Sequence, residues 1–357
     1  MPISGFPALD RTSVAAALLR NRLTDLTRQT ASGQRSESYA GLGVDARRAV
    51  DLRAELSRHE SLSRVAEQGE SRAAMTQTVL KRLTAIATEF VGSANGMLGS
   101  NATNASRLAQ SARSALREVA GLLNERHAGE ALFGGADLTG SPVTDDIERS
   151  GLFTGIRDAL RGMGAGDGAA VREAARQLGA SDDPAVTPFS AHATAAATGA
   201  ITDARRSVPT SNGLTVEIGL YANRNAAAAP SSAPDSTGSW SRDLLYGLSV
   251  IANLGADQAV HEADFDQLVR GAVGALRAGL DGVAEEAGAL GTAENRLAAT
   301  RSRHGELATQ LALQLSSVED VDLAEAISRA QATQAQLEAS YRSLAMLGNL
   351  SLTKFIG

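Results

Sequence analysis

The run Ala73-Ala74-Met75-Thr76-Gln77-Thr78-Val79-Leu80-Lys81-Arg82-Leu83-Thr84-Ala85-Ile86-Ala87-Thr88-Glu89-Phe90-Val91-Gly92-Ser93-Ala94-Asn95-Gly96-Met97 decides the fold class. Ala73, Thr76, Leu80, Leu83, Ala87, Phe90, Ala94 and Met97 recur at alternating steps of three and four, the spacing of a helix that keeps one seam against a partner helix. Half of these knobs are small, so the partner must approach closely. Toward the N-terminus, a helical run opening near Val44 carries Leu52, Leu56, His59 and Leu62 on one side. Before it lies an irregular piece, Ser36 to Gly43. From Thr12 a further helix carries Leu19, Leu23, Leu26 and Thr30 at steps of four, three and four, and stops at Ser32-Gly33. In the other direction Asn101 to Asn104 forms a polar break with capping residues. Beyond it Leu108, Ala112, Leu116, Val119 and Leu123 mark another helix, expected to end near Gly129.

From Gly134-Gly135 to Ser241 the texture changes to Gly, Ser, Pro, Asp and Ala, and six of the eight prolines fall between Pro142 and Pro234. This reads as a smaller mixed α+β domain. Arg172 to Leu178 reads as a helix, and Leu214-Thr215-Val216-Glu217-Ile218-Gly219-Leu220-Tyr221 alternates apolar and polar residues as a strand does. Ala226 to Gly238 reads as a flexible loop or, alternatively, as a short helix over its four alanines, limited by Pro230 and Pro234. Helical periodicity returns at Leu244 and strengthens after His261 through Phe265, Val269, Ala272, Leu276, Leu280, Val283, Ala287, Leu290 and Leu297. It continues through Leu307, Leu311, Leu315 and Val318, then Leu323, Ile327, Leu337, Tyr341, Leu344 and Leu347. The expected fold is mainly α. Long N- and C-terminal helices form a coiled-coil or helical-bundle rod, and the smaller mixed domain is inserted between them.

Composition narrows the function classes. The chain has 357 residues, of which 67 are Ala and only 3% aromatic, which favours long helices with short side chains between them. The absence of Cys removes disulfides, thiolate nucleophiles and Cys-based zinc sites. A net charge of -6 offers no basic field to collect phosphates, which argues against a nucleic-acid partner. No basic region followed by an apolar run opens the chain, and no apolar stretch is long enough to span a membrane.

The search for chemistry yields no catalytic, cofactor or metal constellation. His59, His127, His192, His261 and His304 lack the i, i+4 neighbours of helical metal sites, and each reads as a surface or interface residue. The acids of His261-Glu262-Ala263-Asp264-Phe265-Asp266 read as dipole partners in the first turn of a helix. Gly162-Met163-Gly164-Ala165-Gly166-Asp167-Gly168 lacks the preceding strand and following Gly-Lys-Ser/Thr of a phosphate loop, so it reads as a flexible connector. Asp145-Asp146, Asp182-Asp183 and Glu285-Glu286 read as solvated faces or turns. What remains is the pair of terminal apolar stripes, which either pack on each other or meet neighbouring molecules.

Three separated strings carry a family resemblance. Leu26-Thr27-Arg28-Gln29-Thr30-Ala31-Ser32-Gly33-Gln34-Arg35 resembles the N-terminal signature of the bacterial flagellin superfamily, in which the terminal helix breaks at a Ser-Gly-Lys/Arg turn. Leu290-Gly291-Thr292-Ala293-Glu294-Asn295-Arg296-Leu297 is similar to its Leu-Gly-Ala-x-x-Asn-Arg-Leu element. Leu315-Ser316-Ser317-Val318-Glu319-Asp320-Val321-Asp322-Leu323-Ala324 is similar to its Ser-x-Ile/Leu-Glu-Asp-x-Asp-Tyr/Leu-Ala block. Within the superfamily, Gly129 to Thr139, Gln336-Leu337-Glu338-Ala339-Ser340-Tyr341 and the tail Leu350 to Ile356 resemble the hook–filament junction proteins, the type 3 hook-associated family. Glu37-Ser38-Tyr39-Ala40-Gly41-Leu42-Gly43 departs from the Asp-Asp-Pro often found after the turn, which keeps a filament-forming flagellin open as an alternative.

The resemblance implies a structural, non-enzymatic subunit outside the cell, exported without cleavage and placed as a ring between hook and filament. It implies contacts with the hook-associated protein of the adjoining ring, with flagellin, with copies of itself and with an export chaperone over the C-terminal stripe. It divides the chain into an N-terminal assembly helix and turn (1–43), two halves of a helical rod (44–135 and 242–315), an inserted variable domain (136–241) and a C-terminal assembly helix (316–357). The expected assembly interface is Leu19, Leu23, Leu26, Leu337, Tyr341, Leu344 and Leu347. A soluble helical scaffold or signalling module is the rival from another class.

Overall fold

The computed structural model describes residues 7–99, 102–211, 213–255 and 261–356, with side chains described between residues 11 and 346 apart from 102 and 103. It is mainly α, with long terminal helices and a small inserted region holding two antiparallel hairpins. In order come α1 (Pro7–Ser32), α2 (Ala46–Asn95), α3 (Ala102–Leu123), β1 (Arg126–His127), β2 (Glu130–Ala131), α4 (Gly151–Arg161), α5 (Gly168–Ala180) and α6 (Ala191–Ala197). They are followed by β3 (Ser207–Ser211), β4 (Leu214–Glu217), α7 (Trp240–Asn253), α8 (Glu262–Glu319) and α9 (Leu323–Ile356). The chain forms two compact units, residues 62–303 and residues 1–61 with 304–357.

In the unit of residues 62–303 the eight seam residues from Ala73 to Met97 are all buried, none more than 4% exposed. They share one core with Ala112, Leu116, Val119 and Leu123 of α3, with α7, and with Phe265, Val269, Ala272 and Leu276 of α8. Small residues permit the contacts: a Cβ on Gly247 of α7 would stand 3.0 Å from the Ala272 carbonyl oxygen of α8. α3 stops at Leu123, short of the expected Gly129. There the Asn124 side chain leaves the helix path to bond the Val143 backbone, donating to its carbonyl at 2.8 Å and accepting from its N–H at 2.9 Å. Ala128 (φ 51) and Gly129 (φ 83) then form the positive-φ turn that joins β1 to β2.

The middle segment joins the same core. Arg172 to Leu178 lies inside α5, and Leu214 to Glu217 forms β4, paired antiparallel with β3 through Val208 and Val216. α4 has no counterpart in the sequence reading, because Gly151 and Gly155 mask a helix whose Leu152, Phe153, Ile156 and Leu160 are buried. Ser150 starts it by accepting the Phe153 N–H at 3.3 Å. The four alanines from Ala226 to Ala229 are loop, not helix.

In the other unit α1 packs along α9, and Leu42, Ala49, Leu315 and Val318 form a small core with Ala46, Leu52 and Leu56 beside it. The expected continuous stripe beyond Val318 breaks here. α8 ends at Glu319 and a new helix starts at Leu323, and Leu323 and Ile327 in its first turns are exposed.

Candidate assembly interface

Ser32 ends α1 and Gly33 turns the chain at φ 72, a conformation that glycine adopts without Cβ strain. The strand-like piece that follows lies against the break between α8 and α9. The Arg35 N–H donates to the Glu319 carbonyl at 2.7 Å and the Val321 N–H to the Gly33 carbonyl at 2.9 Å, closing an antiparallel bridge between Gln34 and Asp320. Side chains secure it. The Arg35 guanidinium donates to the Val318 carbonyl at 3.0 Å and to Asp45 at 3.1 Å, and the Gln29 amide donates to the Arg35 carbonyl at 3.0 Å. Arg53 donates to Glu319 at 2.6 Å and to the Tyr39 hydroxyl at 3.0 Å, and the Glu319 bond raises the Arg53 pKa further. Asp322 caps α9, accepting the N–H groups of Ala324 at 2.9 Å and Glu325 at 3.1 Å. Two strings almost three hundred residues apart, Ser32 to Arg35 and Val318 to Val321, thus form one clasp.

The clasp sets α1 antiparallel to α9, since the end of one helix meets the start of the other. Along α1 the residues withdrawn from solvent include Thr12, Ala16, Leu19, Leu23, Leu26 and Thr30; along α9 they are Ala326, Ala330, Thr333, Leu337, Ser340 and Leu344. Both sets step by four and three in turn, the signature of a two-helix coiled coil. Of the residues expected at an intermolecular interface, Leu26 and Leu337 are buried and Leu19, Leu23 and Leu344 half-buried in this arrangement. Tyr341 is 49% exposed, because the seam position is its neighbour Ser340. The Leu347 side chain lies outside the described residues. Val14, Leu18, Leu323, Ile327, Tyr341 and Met346 of the pair are all exposed. Ile327 and Tyr341 are two heptads apart and share one side of α9. Leu323, Ile327 and Tyr341 belong to the apolar stripe visible in the sequence, whereas Val14, Leu18 and Met346 stand off any stripe.

The acids that looked solvated hold backbone instead. Glu286 is fully buried and its carboxylate accepts the N–H groups of Ala226 at 2.5 Å, Ala227 at 3.0 Å and Ala228 at 3.2 Å, while Glu285 accepts that of Ala229 at 2.9 Å. Asp264 accepts the N–H groups of Gly166 at 2.7 Å and Gly168 at 3.0 Å, and these bonds pull its pKa below the ordinary aspartate value. The glycine connector is therefore fixed at its α5 end, and Asp264 caps α5 rather than only serving its own helix. His59 and His304, expected as surface or interface residues, face each other with Nδ1 atoms 2.8 Å apart, and His304 is buried. Among the described residues no group of three or more His, Asp or Glu is placed to hold a metal ion, and no helix is long and apolar enough to cross a membrane.

Fold and interface define a mainly α protein whose N- and C-terminal helices pair with each other and keep some apolar side chains exposed. A family model described as the bacterial flagellin C-terminal helical region matches residues 273–356, most of α8 together with α9. The match supports the bacterial flagellin superfamily, and with it a structural, self-assembling subunit of the flagellum, an appendage outside the cell. Comparison with curated proteins returns no match.

Proposed function

We propose that the chain is a structural subunit of the hook–filament junction, forming a ring through intermolecular packing of its terminal helices. The observation that carries this reading is the set of exposed apolar side chains on the α1–α9 pair: the seam consumes Leu26 and Leu337, yet Leu18, Ile327 and Tyr341 remain open to a partner. In this reading Leu19, Leu23, Leu26, Leu337 and Leu344 hold the pair together so that these side chains are presented. Tyr341, Ile327, Leu323, Leu18, Val14 and Met346 make the contacts, with Leu347 kept in the interface on sequence grounds. Segments 1–43 and 316–357 supply the assembly helices, 44–135 and 242–315 the rod, and 136–241 the solvent-facing insert. The partners are further copies of the chain, the adjoining hook-associated protein, flagellin and an export chaperone. No step calls for a catalytic group or a cofactor.

The test is Ile327→Asp. A charge on an exposed position changes monomer stability by no more than about 0.5 kcal/mol, whereas at a closed contact it adds the desolvation of an ion to the loss of apolar burial. The expected result is an unchanged monomer melting temperature with loss of swimming, hooks intact and flagellin shed into the medium. Normal motility in a strain carrying the variant would overturn the reading.

A filament-forming flagellin is the second reading, favoured by the departure at Glu37 to Gly43. Copy number separates the two. A single ring's worth of chain per flagellum, counted by quantitative blotting of sheared appendages, supports the junction, and thousands of copies support the filament.

A further inference from the structure

We propose that His59 and His304 form a two-histidine site for a divalent transition-metal ion, with Zn2+ as the best-fitting class. His59 lies on α2 and His304 on α8, within the same compact unit, and their Nδ1 atoms converge to 2.8 Å with the rings tilted by 32° and centroids 5.0 Å apart. Two imidazole nitrogens bound to one tetrahedral Zn2+ at about 2.0–2.1 Å sit roughly 3.3 Å from each other, so the pair needs to open by only about half an ångström. Side-chain rotation on two fixed helices supplies that. Borderline imidazole nitrogen suits Zn2+, Ni2+ and Cu2+ and does not suit Mg2+ or Ca2+.

The surroundings fit the same reading. His304 is only 6% exposed, which fixes its ring, while the His59 side chain retains 20% exposure, leaving a route for water to complete the coordination shell. Behind His59, on the side away from His304, the Glu55 Oε2 stands 3.9 Å from Nε2. At that distance the carboxylate makes no hydrogen bond to the ring and adds a negative charge near the site. The proton now between the two Nδ1 atoms leaves for the far ring nitrogen or for water when the metal enters. The ion would tie α2 to α8 beside the clasp that joins α1 to α9, and so strengthen this unit without adding a protein–protein contact.

The experiment is thermal unfolding of the full chain with and without Zn2+. Zn2+ in excess should raise the melting temperature by about 2–4 °C. Mg2+ should do nothing. His59→Gln and His304→Gln should each abolish the Zn2+ shift. No shift in the unaltered chain, or an undiminished shift in both glutamine variants, would overturn the site. If a glutamine variant fails to fold by circular dichroism, Co2+ added to the unaltered chain decides. Visible bands of a nitrogen-ligated ion support the site, and the spectrum of the hydrated ion alone refutes it.

Discussion

Asp264 and Glu286 hold backbone rather than water. Each carboxylate collects neighbouring N–H groups that have no partner in a helix or sheet: Gly166 and Gly168 for Asp264, and Ala226 to Ala228 for Glu286. Buried N–H groups left unbonded would be costly, so these acids decide that the glycine connector is fixed and that the four alanines stay out of a helix. The bonds to Asp264 depress its folded pKa below the unfolded value of about 3.9, so it contributes stability above that pH, which is lost as pH falls through the folded value. Asp264→Asn should therefore lower the melting temperature at neutral pH. The gap to the unaltered protein should close as pH falls through the folded value, below which both carry a neutral side chain. Melting curves across pH check both parts, and a gap that is constant with pH would assign the effect to shape rather than charge. Neither acid is legible in the sequence as a cap, because its partners are main-chain donors that leave no residue signature.

The α1–α9 pair makes the same point for elements. On α1 the seam is legible, since Leu19, Leu23, Leu26 and Thr30 stand at heptad steps and face α9. On α9 three seam positions are Ala330, Thr333 and Ser340, too small or polar to register, and a reading by large residues takes Tyr341 in place of its neighbour. Truncation separates the two positions. Leu337→Ala removes a buried leucine from a narrow interface and should cost about 2 kcal/mol, the low end for such changes, while Tyr341→Ala should stay within about 0.5 kcal/mol in the monomer. Denaturant unfolding of both variants checks the order, and the reverse order would mean that α9 is rotated from this register. The longer heptads of α2 and α8 were legible because Leu80, Leu83, Phe90, Leu276 and Leu290 mark them with large side chains. Contacts between distant strings have no period to read. The clasp of Gly33 and Arg35 with Val318, Glu319 and Val321, and the facing of His59 and His304, follow only from antiparallel helices that bring the two ends of the chain together.

For the molecule as a whole, the change of texture at Gly134 suggests a middle segment that could be cut away, and the packing of residues 62–303 argues otherwise. Ile147, Leu152, Ile156, Leu160, Leu220 and Trp240 all come from the segment 136–241, none is more than 2% exposed, and they share one core with Leu116 of α3 and Leu276 of α8. Phe133, just before the segment, meets the Trp240 ring edge to face with centroids 6.2 Å apart, and α7 packs on α3, α4 and α5 together. Losing one such side chain costs about 2–5 kcal/mol, and a whole domain is stable by only about 5–15 kcal/mol. Three or four of these losses therefore consume the entire margin. Replacing residues 136–241 by a Gly/Ser linker should abolish the cooperative melting transition of this unit and expose apolar faces of α3 and α8, seen as dye binding or aggregation. A subunit that has to hold its shape in a polymer would then fail for want of a core even with every residue of α1 and α9 in place. Calorimetry of the linker variant decides: a sharp transition near that of the full chain would mean that α3 and α8 close on each other without the segment, and that the middle is a removable insert.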